Sequence, residues 1–151
     1  MKIAITSDHR GVDLTKKINK HLLEKGIETV VFESKRATDN YTDQGKEPLK
    51  LVQSKECDFA ILICGTGVGM GIIANRMKGI FAVHAREESE AYFARRHENA
   101  NVLVLGAGYG DENYTVKLCS RKANRIVDAF LNTEFEGGRH QKRIEKIEKE
   151  Y

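Results

Sequence analysis

Two stretches of the chain, DFAILIC (residues 58–64) and NVLVLG (residues 101–106), are apolar at consecutive positions instead of at every second one. A strand with one wet face alternates; a strand that is apolar throughout is covered on both faces. Strands of that kind sit in parallel sheets sandwiched between helices, so these two runs restrict the chain to the α/β class. The rest of the chain agrees. KIAITS (2–7), IETVVFE (27–33) and IFAVHA (80–85) are further apolar runs of strand length. Between the runs lie amphipathic segments. Leu14, Ile18 and Leu22 are spaced four apart before Gly26, and KEPLKLVQSKE carries Pro48 near its first turn. MGIIANRMKG, ending at Gly79, and REESEAYFARRH complete the series. Residues 34–43, SKRATDNYTD, are polar and aperiodic and read as a loop. DENYTVKLCSRKANRIVDAFLN places Val116, Cys119, Ala123, Ile126, Val127 and Phe130 on one face and reads as one long helix. RHQKRIEKIEKEY closes the chain as another, with Ile144, Ile147 and Tyr151 as its apolar stripe. The pattern predicts an α/β fold: a doubly wound five-stranded parallel sheet, Rossmann-like, with an extra C-terminal helix, in a single domain over residues 1–151.

Composition excludes several classes of function. With 40% hydrophobic and 31% charged residues, the chain has the balance of a water-soluble globular protein. No apolar run is long enough to cross a bilayer, and MKIAITSDHRG is too polar for a secretory leader, so a cytoplasmic protein without a membrane partner is expected. A net charge of +3 is too small to imply nucleic acid. Cys57, Cys64 and Cys119 are odd in number and lack CxxC spacing, which argues against a disulfide framework or a zinc site. Cys57 and Cys119 read as small buried apolar residues.

In a doubly wound sheet, ligands bind beyond the carboxyl ends of the strands, near the switch in strand order. Ser7, Asp8, His9 and Arg10 follow the first strand, Cys64 and GTGVGMG the third, and His84 the fourth; His97 and Asn99 precede the fifth. The reactive types are thus expected at or near one rim. Gly65, Gly67, Gly69 and Gly71 alternate through the turn, a spacing that fits neither the dinucleotide fingerprint nor the triphosphate loop. Such a turn either cradles an anion on its backbone N–H groups or serves packing alone. Cys64, next to the start of a helix, is a base or nucleophile, or else the last core residue of its strand. Thr66 donates a hydroxyl to the same ligand or caps the helix. Asp8 shares acid–base work or caps the first helix, and His97 is an acid–base group or a partner of a helix dipole. Arg139 and Arg143, four apart on the last helix, form a phosphate fork or a solvated basic face.

Four blocks together, SDH after the first strand, CGTGVGM after the third, HENANVLVLG around the fifth and FLNTEFEGGRHQKRI near the end, resemble the type B ribose-5-phosphate isomerase family. The galactose-6-phosphate isomerase subunits belong to the same superfamily. The resemblance runs in one register from residue 2 to about residue 147. It implies aldose–ketose isomerisation of a phosphorylated sugar without metal or other cofactor. It also implies active sites between the two subunits of a homodimer, with tetramers a further option. Carried over by residue, Cys64 is the base that moves a proton between C1 and C2. Thr66 and the backbone of Gly65, Gly67 and Gly69 hold the enediolate oxygens. Asp8 and His97 assist ring opening; His9, Arg139 and Arg143 hold the phosphate. Tyr41 matches a tyrosine near the sugar, and Asn99 falls in the H-x-x-A-N region. Ribose 5-phosphate, converted to ribulose 5-phosphate, is the expected substrate. Allose 6-phosphate, galactose 6-phosphate or another sugar phosphate are alternatives, and a non-catalytic sugar-phosphate-binding protein is the alternative outside enzymes.

Three positions depart from the family pattern. Glu98 replaces an asparagine, exchanging an amide for an acceptor-only carboxylate. Gly108 stands where an arginine usually reaches the phosphate, and Arg10 where a small residue is common. Arg10 is expected to supply part of the missing positive charge.

Overall fold

The computed structural model describes residues 1–151. Strands β1 (Lys2–Ser7), β2 (Glu28–Phe32), β3 (Phe59–Cys64), β4 (Ala82–His84) and β5 (Val102–Gly106) pair in parallel in the order β2-β1-β3-β5-β4. The helices are α1 (Val12–Glu24), α2 (Tyr41–Gln44), α3 (Lys46–Gln53), α4 (Val68–Ala74), α5 (Glu88–Glu98), α6 (Ser120–Leu131) and α7 (Arg139–Glu150). The consecutive apolar runs have the predicted cause. Ile3, Ile5, Ile61, Ile63, Leu103 and Leu105 face one side and pack with buried residues of α1, α5 and α6. Ala4, Ala60, Leu62, Cys64, Val102 and Val104 face the other and pack with Leu49, Val52, Met70 and Ala74 of α3 and α4. Both faces are dry, so neither can carry polar side chains at low cost.

Two expectations fail locally. Residues 34–43 are not all loop: Tyr41 opens the short helix α2, because Asn40 Oδ1 accepts the N–H groups of Thr42 (3.0 Å) and Asp43 (3.3 Å). The long helix predicted from residue 111 begins only at Ser120. Before it comes an antiparallel hairpin, β6 (Gly108–Gly110) and β7 (Thr115–Lys117). Asp111 Oδ1 closes its turn by accepting the N–H groups of Asn113 (2.8 Å) and Tyr114 (2.9 Å). Val116 therefore lies in a strand. Cys119 is the exposed N-cap of α6 and not a core residue, whereas Cys57 is buried as expected. No helix is long and apolar enough to cross a membrane.

Candidate active site

From β1 the chain passes to β2 on one side and returns to β3 on the other, which opens a crevice beyond the carboxyl ends of β1 and β3. Ser7 is paired with Ile63, and the Asp8 N–H donates to the Ile63 carbonyl at 3.0 Å. Asp8 and Cys64 therefore leave neighbouring strands side by side, only 6% and 3% exposed. Asp8 Oδ1 accepts the N–H of Arg10 at 2.9 Å and so braces its own loop; α1 starts after Gly11, an N-cap without a side-chain hydrogen bond. Cys64 Sγ accepts the N–H of Gly67 at 3.1 Å, which fixes the sulfur against the turn.

Three of the four glycines, Gly65, Gly67 and Gly69, yield space to a neighbour. Gly67 adopts φ +83°, and a Cβ there would collide with the His84 ring. A Cβ on Gly69 would come within 2.9 Å of the Tyr41 ring, and one on Gly65 within 2.9 Å of Arg10 Cδ. Thr66 Oγ1 accepts the Val68 N–H at 3.3 Å, a local turn bond, while the N–H groups of Thr66 and Gly69 have no partner within the chain. His84 Nε2 is shielded and unpartnered, and burial, aided by Arg86, holds the ring below the usual histidine range. The His9 ring lies 3.1 Å through Nδ1 from the Asp39 carbonyl, which can only accept, so Nδ1 carries the proton and Nε2 is left for a ligand.

His97 and Asn99 lie at the other end of the sheet. A helix that follows a strand starts at the carboxyl rim and returns to the amino rim, so α5 ends where β5 begins. Asn99, at φ +47°, caps α5, and its Oδ1 accepts from Arg95 at 2.9 Å. It lines a cleft of about 1050 Å³ together with Met1, Asp58, Phe59 and Ile144. The His97 ring stacks on His140, with centroids 4.2 Å apart and planes 3° from parallel. His140 is buried, and Arg139 Nε donates to its Nε2 at 3.3 Å. Burial, then the charges of His97 and Arg139, hold His140 below the usual histidine range. Arg139 and Arg143 are exposed on α7 and form no ion pair within the chain. Among these groups, His97, Glu136 and His140 bring possible metal-ligand atoms within 4.8 Å of one another. Their rings are stacked face to face, however, and Glu136 is taken by Arg96 at 2.7 Å. The lone pairs of stacked rings do not converge, and neighbouring guanidinium groups repel a cation, so this cluster is unsuited to metal.

The structure thus assembles Cys64, Thr66, Asp8, His9, Tyr41, Gly65, Gly67 and Gly69 at the carboxyl rim. It places His97 and Asn99 at the amino rim, contrary to the expectation of one rim, with Arg139 and Arg143 on the helix beside them. A six-residue strand is roughly 17 Å long, which keeps Cys64 and His97 of one chain apart. Sequence reasoning also passed over Tyr109, Glu136 and His140. The last two flank the glycine pair of the EGGRH block, which could have flagged them. Tyr109 carries no such signal, because it lies in GAGYG, between the fifth strand and the helix predicted from residue 111.

Comparison with known proteins gives a consistent result. A family model described as Ribose/Galactose Isomerase matches residues 3–147. The ribose-5-phosphate isomerase B of Escherichia coli is 40% identical over 149 residues, covering 97% of this chain and 93% of that one. The crystal structure of a ribose 5-phosphate isomerase from Thermotoga maritima superposes with a TM-score of 0.87 at 43% identity, covering 98% of this chain and 97% of the other. That of ribose-5-phosphate isomerase B from Mycoplasma genitalium with bound ribulose-5-phosphate also gives 0.87, at 40% identity, covering 98% and 94%.

Proposed function

This chain belongs to the ribose/galactose isomerase family and is an aldose–ketose isomerase of sugar phosphates; from that premise we propose that it interconverts ribose 5-phosphate and ribulose 5-phosphate with Cys64 as the base. The observation that carries the reading is the free thiol at the strand crevice, bonded to the Gly67 N–H at 3.1 Å, beside a buried Asp8 and a turn with unpartnered amides. In the proposed reaction the Cys64 thiolate takes the proton from C2 of the open-chain aldose. The C–H electron pair forms a C1–C2 double bond while the carbonyl π pair moves onto O1, which creates an enediolate. The turn amides and Thr66 stabilise the two oxygens, and donors of this kind contribute on the order of 3 kcal/mol each. Cys64 returns the proton to C1, while the O2 proton passes to O1 and leaves a ketone at C2. Asp8 and the partner subunit's His97 assist opening of the cyclic sugar, and Tyr41 packs beside it.

The two rims also support a shared site. In this reading a second copy brings the partner's His97, Asn99, Arg139 and Arg143 against Cys64 and His9 of the first. The phosphate is then held between His9 and the partner's Arg139 and Arg143, none of which is neutralised within its own chain. Glu98 and Gly108 favour a second reading, a different sugar phosphate such as a six-carbon one, because the first puts a carboxylate where the family carries an amide and the second removes the side chain the family uses at the phosphate. Incubation with ribose 5-phosphate in heavy water tests the first reading. Deuterium at C2, lost in Cys64→Ala, is the expected result; normal turnover by that variant would exclude the base. Relative kcat/KM across five- and six-carbon phosphates decides between the sugars.

A further inference from the structure

We propose that Tyr109, on the β6–β7 hairpin, holds Arg10 across the glycine turn as a phosphate-binding guanidinium next to His9. The inference rests on the sugar-phosphate reading above and adds to it a positioning residue from a hairpin that contributes nothing else to the crevice.

Four observations converge. The backbone of Arg10 is anchored, its N–H donating to Asp8 Oδ1 at 2.9 Å. Its side chain then runs over Gly65, where a Cβ would stand 2.9 Å from Arg10 Cδ and 3.3 Å from Tyr109 Cβ. Any larger residue at position 65 would push both away. The guanidinium carbon ends 4.7 Å from the centre of the Tyr109 ring. The hairpin that presents this ring is tied to the cysteine turn, because Ala107 N–H donates to the Cys64 carbonyl at 2.9 Å and Gly108 N–H to the Gly65 carbonyl at 3.0 Å.

The charge has no acidic partner. Arg10 forms no ion pair, and the nearby carboxylates are engaged: Asp8 with the loop amide, and Asp13 with Lys17 at 2.7 Å. Core packing does not account for the arrangement either, since Tyr109 is 46% exposed and Arg10 is exposed. A guanidinium stacked on a ring keeps its N–H edge free, and that edge matches two oxygens of a phosphate monoester. The stacking removes side-chain freedom before the ligand arrives, which reduces the entropy lost on binding. On the adjacent residue His9 Nε2 is free, and with the ring protonated at both nitrogens it donates to the same anion.

The test compares Arg10→Met, which keeps the stem over Gly65 without the charge, with Arg10→Lys, Tyr109→Leu and Tyr109→Phe. The readouts are KM for ribose 5-phosphate and the inhibition constant of inorganic phosphate, with melting temperature recorded for each variant. Arg10→Met is expected to raise both constants at least tenfold, more than it lowers kcat, and Arg10→Lys to recover part of the loss. Tyr109→Leu should raise both several-fold, Tyr109→Phe should restore them, and adding Tyr109→Leu to Arg10→Met should cost nothing more, because the ring acts through Arg10. Constants within twofold of the parent in Arg10→Met, or an equal further loss in the double variant, would overturn the proposal while leaving the isomerase reading intact. A parent protein that neither turns over the sugar nor responds to phosphate would overturn both.

Discussion

The two rims of the sheet are built differently. At the carboxyl rim the reactive groups sit directly on strand ends or on a turn anchored to them. Asp8 and Cys64 are buried, and the Gly67 N–H reaches the sulfur. At the amino rim the groups ride on helix ends. His97 is one residue from the end of α5, and Arg139 opens α7. The first arrangement suits a base and oxyanion donors, which must be held within fractions of an ångström. The second suits long cations that reach toward a phosphate. In the proposed shared site this contrast lets one chain carry both sets, each completed by a second copy.

The strongest way to break this contrast is complementation. Cys64→Ala and His97→Asn should each lose at least about a thousandfold in kcat, as removal of an acid–base group does. Mixed after reversible dissociation, the two should regain roughly a quarter of parental activity, because half of random dimers are mixed and each holds one intact site. No recovery would mean that each site is complete within one chain.

Glycine substitutions sharpen the picture of the carboxyl rim. Gly67→Ala meets the His84 ring at φ +83° and should destabilise the fold by about 1–3 kcal/mol, lowering kcat with it. Gly71, inside α4, has open space around its missing Cβ. Gly71→Ala should therefore stabilise by roughly 0.5–1 kcal/mol. Urea denaturation separates the two; equal effects would mean that the turn is not specially constrained.

A smaller effect comes from His84, whose folded-state pKa is held down by burial. Between that value and the ordinary histidine value near 6.5, the unfolded chain binds more protons, so stability should rise with pH and level off above about 6.5. Replacing His84 with Leu should flatten that slope in denaturation measured from pH 5 to 8. The smallest effect belongs to Asp128, away from the crevice. Burial raises its pKa, but hydrogen bonds from Lys25 (2.8 Å) and His21 (2.9 Å) outweigh this and lower it overall. Its contribution is present above the ordinary carboxylate value and lost as pH falls through the depressed one. Asp128→Asn should cost up to about 1 kcal/mol at neutral pH and nothing in strong acid.

Much of the fold was legible because its signal is local. Ile61 through Cys64 and Val102 through Leu105 are consecutive apolar residues, and that suffices to bury a parallel strand on both faces. Val116 and Cys119 misled because a helical period can arise by chance where a hairpin supplies the true pairing. Nothing in the linear order of Asp111 and Tyr114 outweighed that period. The site divides in the same way. Cys64, Asp8 and the glycines are readable from their position after strands, while His97, which precedes a strand, offers no such positional signal.

What the sequence determined by itself is the layered α/β scheme and the choice of candidate reactive groups. Both follow from residue type and short-range spacing. The tertiary structure decided which of those groups can meet. Strand order places Asp8 beside Cys64, and the return direction of α5 carries His97 to the far edge. It also decided that Arg10 lies over Tyr109, since only the folded chain brings a loop at residue 10 against a hairpin at residue 109.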